Sequence, residues 1–129
     1  MATIVESKTT QPNEYGQTVT VRKHTLAADY SGTDTAPGPH DYFDVALATC
    51  KTITATWYAK RNGIPLERVE SHVERDDSDE RKGVYRLKVR VTFFGPLTDQ
   101  QRATLYRAIS ACPIHKLMTA TDVQIETVP

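Results

Sequence analysis

The sequence contains little that would tie it to a disulfide framework, a polyanion or a membrane. Cysteine occurs only twice in 129 residues, and 16 basic side chains balance 16 acidic ones. Two cysteines are too few for the dense disulfide framework of a small secreted domain. Balanced charge without a basic cluster argues against nucleic acid as a partner. No apolar run reaches membrane-spanning length, and the opening MATIVESKTT has no charged and then apolar leader, so we expect a cytoplasmic protein.

Several common functional motifs are also missing from the sequence. It has no glycine-rich phosphate loop, no dinucleotide fingerprint and no serine nucleophile elbow. Apolar residues make up 39% of the chain and charged residues 25%, which is typical of a soluble globular protein. The length predicts one domain over residues 1–129.

Alternating apolar residues predict an antiparallel sheet. Residues 18–24 alternate, so we expect one strand there, paired with residues 2–6. A hairpin is predicted from strands near 69–73 and 85–93, joined by the charged turn at 76–83. A last strand is expected over residues 123–128.

The first predicted helix covers residues 41–61, after a loop rich in glycine and proline. Apolar residues recur in it at steps of three and four, which places them on one face. These residues are Phe43, Leu47, Cys50, Ile53 or Thr54, and Trp57. We therefore expect this face, with Cys50 on it, to be turned toward the core.

The second predicted helix ends at a cysteine. Thr98 and Gln101 have the spacing of a capping box, so the helix should begin there. Leu105 and Ile109 then form an apolar stripe that ends at Cys112. Pro113 cannot continue the helix but suits the first position of a new one. We predict that Cys112 caps a short helix extending to about Met118.

Three interpretations of the cysteines follow from the residues alone. A helix N-terminus favours thiolate over thiol, and His115 and Lys116 would add positive charge near Cys112. Alternatively, Cys112 and Cys50 are small buried hydrophobic residues without chemistry. A zinc site of Cys112, His115, Cys50 and a further histidine, His24 or His40, is less favoured. Zinc sites usually contain a second closely spaced ligand pair, so no metal is expected.

Two signatures resemble those of the OsmC/Ohr family, the osmotically induced protein C and organic hydroperoxide resistance proteins. The first is residues 32–69, GTDTAPGPHDYFDVALATCKTITATWYAKRNGIPLERV. It resembles the family's first signature in its Gly/Pro loop, its Pro-x-acid step and its cysteine in mid-helix. The second is residues 111–118, ACPIHKLM, which resembles the family's second cysteine signature. The order of the elements matches as well, so the resemblance covers essentially the whole chain.

The resemblance implies a fold, a reaction and partners. The fold would be OsmC-like α+β, an antiparallel sheet packed on two main helices in an intertwined homodimer. The reaction would be reduction of organic hydroperoxides, with Cys50 as the peroxidatic and Cys112 as the resolving cysteine. No bound cofactor is implied. The reductant would be an external dithiol such as a lipoyl group.

The resemblance also implies an arginine and a carboxylate that activate the first cysteine. Asp41 matches the carboxylate position, where the family more often has glutamate, and Arg22 is the best arginine candidate. The shorter acid and the arginine without a motif leave a second hypothesis open. In it, the chain is a weakly active or non-catalytic module for redox sensing or small-molecule binding. For the enzyme, we expect a substrate pocket lined by Phe43, Leu47, Trp57 and Ile109.

Overall fold

The structure is a computed structural model and describes residues 2–129. It contains five strands and three α-helices, with one turn of 3-10 helix at Glu80–Lys82. In chain order these are Val5–Thr9 (β1), Gln17–Val21 (β2), His24–Ala28 (β3), Pro39–Arg61 (α1), Arg68–Asp76 (β4), Arg86–Phe94 (β5), Asp99–Ser110 (α2) and Pro113–Ala120 (α3). The predicted α+β class is confirmed. The chain divides into two compact units, of which the first ends at Phe43 and the second comprises Asp44–Pro129.

The first unit is built on an antiparallel meander of β1, β2 and β3. Val5 pairs with Val21, which confirms the predicted pairing of the two N-terminal segments. The prediction of a single strand over 18–24 is wrong, because Val21 pairs with His24 across a turn of two residues. Arg22 lies in this turn with a φ of 53°. Such turns usually contain Gly, Asn or Asp, and their absence here hid the turn.

The loop after β3 is organised by a buried carboxylate. Asp29 accepts hydrogen bonds from the Tyr30 amide (2.7 Å), the Thr33 hydroxyl (2.8 Å), and the Thr35 amide (2.9 Å) and hydroxyl (2.6 Å). The bonds from Thr35, followed by the one from Thr33, hold the pKa of Asp29 well below its ordinary value. Donors that bind the charged form favour it, so this loop is fixed by an ionised side chain.

The second unit pairs β4 with β5 as an antiparallel hairpin, as predicted, with Arg68 opposite Phe94. On β5, residues that are at least half-buried alternate with exposed ones up to Thr92. The hydrophobic core of this unit is formed by residues from α1, β5 and α2. These are Ala55, Ala59, Phe93, Leu105 and Ile109.

The orientation of α1 differs from the prediction. Its buried residues follow a step of four, namely Leu47, Lys51, Ala55 and Ala59. Phe43, Ile53 and Trp57 are exposed by 45%, 66% and 57%. Of the predicted core face, only Leu47 is buried, so that prediction is wrong. The physical reason is that Ala55 and Ala59 form the core together with Leu105 and Ile109 of α2, which turns this face of α1 inward.

The ends of the remaining helices follow their local sequence. Thr98 and Gln101 form the predicted capping box, since the Gln101 amide donates to the Thr98 hydroxyl (3.1 Å) and the Thr98 amide donates to the Gln101 side chain (3.0 Å). Gly95 has a φ of 141°, and a Cβ atom there would lie 2.4 Å from the Pro65 carbonyl oxygen. Only glycine fits this position.

The strand predicted over 123–128 is wrong, because residues 123–129 form no helix or strand.

Candidate functional site

Cys112 lies where the sequence predicts it, at the N-cap of α3. Its backbone is extended (φ −63°, ψ 161°), Pro113 is the first helical residue, and the Cys112 carbonyl accepts from the Lys116 amide at 3.1 Å. The side chain is 1% exposed. Within the described chain, its thiol makes no capping hydrogen bond to the helix. The predicted helix start is therefore confirmed, and the thiol is buried beneath it.

Cys50 lies in the middle of α1 and is half-buried. Its sulfur lies 3.9 Å from the Thr54 hydroxyl, one helical turn further on. Both cysteines are free thiols. A hydroxyl at that position is able to donate a weak hydrogen bond to a thiolate. Cys50 is thus the thiol that a solute reaches more easily, and Cys112 is the protected one.

Lys51, next to Cys50 in sequence, connects α1 to the helices before and after Cys112, α2 and α3. It is only 5% exposed, on the core side of the helix. Its Nζ donates to the Ile109 carbonyl oxygen at 2.6 Å and lies 3.0 Å from His115 Nδ1. Ile109 is in α2 and His115 is in α3, so one side chain holds together the two helices that meet at Cys112. Sequence reasoning did not foresee this role of Lys51.

A cavity of about 260 Å³ adjoins Lys51 and His115. We call it the Lys51 pocket. Its lining is mostly aliphatic and comprises Leu47, Lys51, Leu87, Val89, Val91, Tyr106, Ile109, Ser110 and His115. All of these residues belong to the second unit. The pocket combines apolar walls with a buried cation, which is the usual composition of a small-molecule site.

The substrate pocket predicted from Phe43, Leu47, Trp57 and Ile109 is wrong as a single pocket. Leu47 and Ile109 line the Lys51 pocket on the core side of α1. Trp57 instead lines a surface depression on another face of the helix. The reason is that the buried face of α1 is rotated about the helix axis from the predicted one, which separates these side chains.

The two residues expected to activate Cys50 both belong to the first unit. Asp41 lies in the first turn of α1, and its carboxylate accepts from the Gly38 amide at 2.9 Å. This bond stabilises the helix start, as an acid in the first turn should. Arg22 is exposed in the turn after β2. The catalytic roles of Asp41 and Arg22 stay predictions.

A polar cluster that sequence reasoning missed joins the start of α1 to the β4–β5 hairpin. Asp44 accepts from Arg75 Nε at 2.6 Å and from the Tyr85 hydroxyl at 2.8 Å. Burial, followed by this bond to Asp44, raises the pKa of Tyr85 to about 12. No local motif connects residues so distant in sequence. The neutral phenol and the ion pair fix the helix to the sheet within the second unit.

Within residues 2–129 no three or more His, Cys, Asp or Glu side chains are grouped so that they could hold a metal ion. No helix in the same range is long and apolar enough to cross a membrane.

A family model described as "OsmC-like protein" matches residues 32–128 of the chain. The matched region contains both cysteine signatures and most of the described elements. No curated protein matches the chain.

Solved structures share the fold at low sequence identity. An OsmC-like protein from Mycoplasma pneumoniae is 16% identical, with a TM-score of 0.75 over 93% of this chain and 89% of its own. The organic hydroperoxide resistance protein OhrB of Bacillus subtilis is 18% identical, with a TM-score of 0.59 over 93% of this chain and 92% of its own. An organic hydroperoxide resistance protein OsmC from Legionella pneumophila is also 18% identical, with a TM-score of 0.63 over 93% and 90%. At these identities the likeness shows the fold alone.

Proposed function

The chain belongs to the OsmC-like protein family, and from this we propose that it is a thiol-dependent peroxidase of organic hydroperoxides. The observation that carries the proposal is the pair of free thiols, a half-buried Cys50 in mid-helix and a buried Cys112 at a helix start. Solved structures of the same fold include proteins named for organic hydroperoxide resistance, which supports the choice of substrate class.

The proposed reaction uses the two thiols in sequence. The Cys50 thiolate attacks the terminal oxygen of the hydroperoxide, the O–O bond breaks, and the leaving alkoxide takes a proton to become an alcohol. Cys50 is left as a sulfenic acid. Cys112 then attacks the sulfenic sulfur, which releases water and forms a disulfide between the two residues. An external dithiol exchanges with this disulfide and restores both thiols as it is oxidised itself.

Exposure supports Cys50 rather than Cys112 as the attacking thiol. The helix start favours thiolate at Cys112, but Cys112 is 1% exposed and a peroxide has poor access to it. Cys50 is half-buried, and Ile53 and Trp57 are exposed one and two turns further along α1. These apolar neighbours favour an alkyl hydroperoxide over hydrogen peroxide.

The reductant and the compartment belong to the same proposal. A dithiol such as a lipoyl group would supply two electrons for each turnover, and no bound cofactor is needed. Disulfide recycling of this kind fits a reducing compartment, so we place the reaction in the cytoplasm. We also propose that the active form is a homodimer. The exposed apolar side chains Phe43, Ile53 and Trp57 on α1 support this assembly.

One observation favours a weakly active redox-sensing module as the second candidate. Within the second unit, the polar contact of the Cys50 sulfur is the Thr54 hydroxyl at 3.9 Å, and no arginine of that unit bonds to it. A long contact with a neutral group stabilises a thiolate less than a guanidinium does. Such a protein would form the disulfide but turn over slowly.

The deciding experiment measures consumption of cumene hydroperoxide by the purified protein with dihydrolipoamide as reductant. We expect the wild type to turn over and Cys50→Ser to be inactive. With the dithiol left out, Cys112→Ser should consume one equivalent of hydroperoxide and accumulate sulfenic acid. Arg22→Ala and Asp41→Asn test the predicted activating residues in the same assay. Wild-type protein that forms the disulfide but turns over slowly supports the sensing module. Full activity of folded Cys50→Ser overturns the proposal.

A further inference from the structure

We propose that the Lys51 pocket binds a small monocarboxylate with a short apolar chain. This inference goes beyond the peroxidase proposal, because it assigns a second binding site whose groups are not the two thiols. It depends on three features of the pocket: a buried cation without an acidic partner, a second donor beside it, and a small aliphatic wall.

The cation is Lys51, which is 5% exposed. Its two hydrogen-bond partners, the Ile109 carbonyl and His115 Nδ1, are both without negative charge. Among residues 2–129, no aspartate or glutamate forms a salt bridge with it. A buried ammonium without a counter-charge is costly. An ammonium group also has three donors, so one remains for an anion.

The second donor is His115. Lysine ammonium only donates, so Nδ1 of His115 must accept the 3.0 Å bond from Lys51. The neutral ring then carries its hydrogen on Nε2, which makes Nε2 a donor. A carboxylate has two oxygens and suits two neighbouring donors. A phosphate dianion would require more positive charge than one lysine supplies, so a monoanion fits better.

The aliphatic wall sets the body of the ligand. Strand β5 contributes Leu87, Val89 and Val91, while Leu47 and Ile109 come from α1 and α2. At about 260 Å³, the pocket is slightly smaller than the usual range for small-molecule sites. It would hold a short aliphatic chain, and it is too small for a nucleotide or a long lipid.

Isothermal titration calorimetry with sodium hexanoate tests the proposal on the full-length protein. We expect saturable binding to the wild type that weakens by at least about tenfold in Lys51→Met, as loss of a charge-assisted hydrogen bond predicts. Methionine keeps the length and apolar stem of the side chain. The matched control is Lys88→Met, because Lys88 lies on β5 between two pocket residues but is exposed. It should bind hexanoate like the wild type.

Two ligand controls separate the parts of the site. Hexanol has the chain without the charge and acetate has the charge without the chain, so both should bind much more weakly than hexanoate. Val89→Phe fills the pocket, keeps Lys51 and should abolish binding of hexanoate. It replaces Lys51→Met as the test if that variant does not fold. Cys50→Ser should bind hexanoate normally, which keeps this test independent of peroxidase activity.

Three results would overturn the proposal. They are hexanoate binding unchanged in folded Lys51→Met, equal affinity for hexanol and hexanoate, and no saturable binding of hexanoate to the wild type. In each of these cases Lys51 is only a tie between helices. Thermal unfolding of every variant, measured without ligand, shows which proteins are folded.

Discussion

Individual polar residues account for much of the order inside this chain. Asp29 accepts from three residues of its own loop, and Lys51 bonds to two helices. Asp44 joins an arginine and a tyrosine. Among the described residues, no buried side-chain nitrogen or oxygen lacks a hydrogen-bond partner. A buried polar group that loses its hydrogen-bond partner costs about 1–3 kcal/mol. Replacing one member of these clusters should therefore lower the free energy of unfolding.

The Tyr85 phenol provides a pH-dependent test of its cluster. Its pKa is raised from 10.0 to about 12, first by burial and then by Asp44. Below pH 10 the phenol is protonated in both the folded and unfolded chain. Between the two pKa values the unfolded chain releases the proton and the folded one keeps it, so the free energy of unfolding falls as pH rises. Asp44→Asn should lower the Tyr85 pKa and move ionisation toward pH 10.

Ultraviolet absorbance of tyrosinate during alkaline titration measures this pKa. The chain has six tyrosines, so the Tyr85 signal is obtained by subtracting the titration of Tyr85→Phe. Asp76→Asn is the matched control, since Asp76 is on β4 and bonds to Ser78 and Arg86. A Tyr85 that ionises near pH 10 in the folded wild type would contradict the prediction.

The sequence predicted some of the site residues and missed others for a definite reason. Cys112 was placed correctly because Pro113 cannot continue α2 but suits the first position of α3. This effect is local in sequence. The Lys51–His115 contact and the Asp44–Tyr85 bond span 64 and 41 residues, and no local pattern contains them. Arg22 was assigned to a strand because the alternation of β2 continues into β3 without a turn residue.

At the scale of elements, the order of strands and helices was largely predictable, but the orientation of α1 was not. Apolar residues lie on two sides of this helix: Leu47, Ala55 and Ala59 are buried, while Ile53 and Trp57 are exposed. Large apolar residues dominate the hydrophobic periodicity of a sequence, yet two small alanines form much of the buried face of this helix. The prediction of a final strand was wrong because an alternating segment forms a strand only when the edge of a sheet is available to pair with it.

The start of α2 tests how much a local capping motif stabilises the fold. Thr98→Ala removes the acceptor for the Gln101 amide, and we expect a loss of about 1 kcal/mol in the free energy of unfolding. Thr98→Ser keeps a hydroxyl and should restore most of the loss. Urea denaturation followed by circular dichroism measures the difference.

The control for this cap is Gln100→Ala, an exposed position in the same helical turn. It should change stability much less than Thr98→Ala, because alanine is a good helix former. Equal effects of the two substitutions would show that the capping box contributes nothing specific.

At the scale of the whole molecule, several apolar residues remain uncovered in the single chain. Ile53 and Trp57 of α1 are 66% and 57% exposed, and Ile125 in the last segment is 85% exposed. Ile53 and Trp57 line one surface depression, and exposed apolar patches are typical of protein interfaces. The alternating segment at 123–128 would also gain a strand partner from an edge in a second copy. Both features support the proposed homodimer.

Ile53→Glu tests the assembly. A carboxylate on the exposed face of α1 is costly to bury, so we expect the substitution to weaken dimerisation by at least about tenfold, equivalent to roughly 1.4 kcal/mol. Each subunit should stay folded, because Ile53 does not belong to the core. Sedimentation velocity over a concentration series gives the dimer fraction, and circular dichroism confirms the fold. Val84→Glu, at a 42% exposed apolar residue after the β4–β5 turn, should leave the dimer intact. If Ile53→Glu sediments like the wild type, the face of α1 is not the interface, and the unpaired segment at 123–128 becomes the remaining place where two copies would meet.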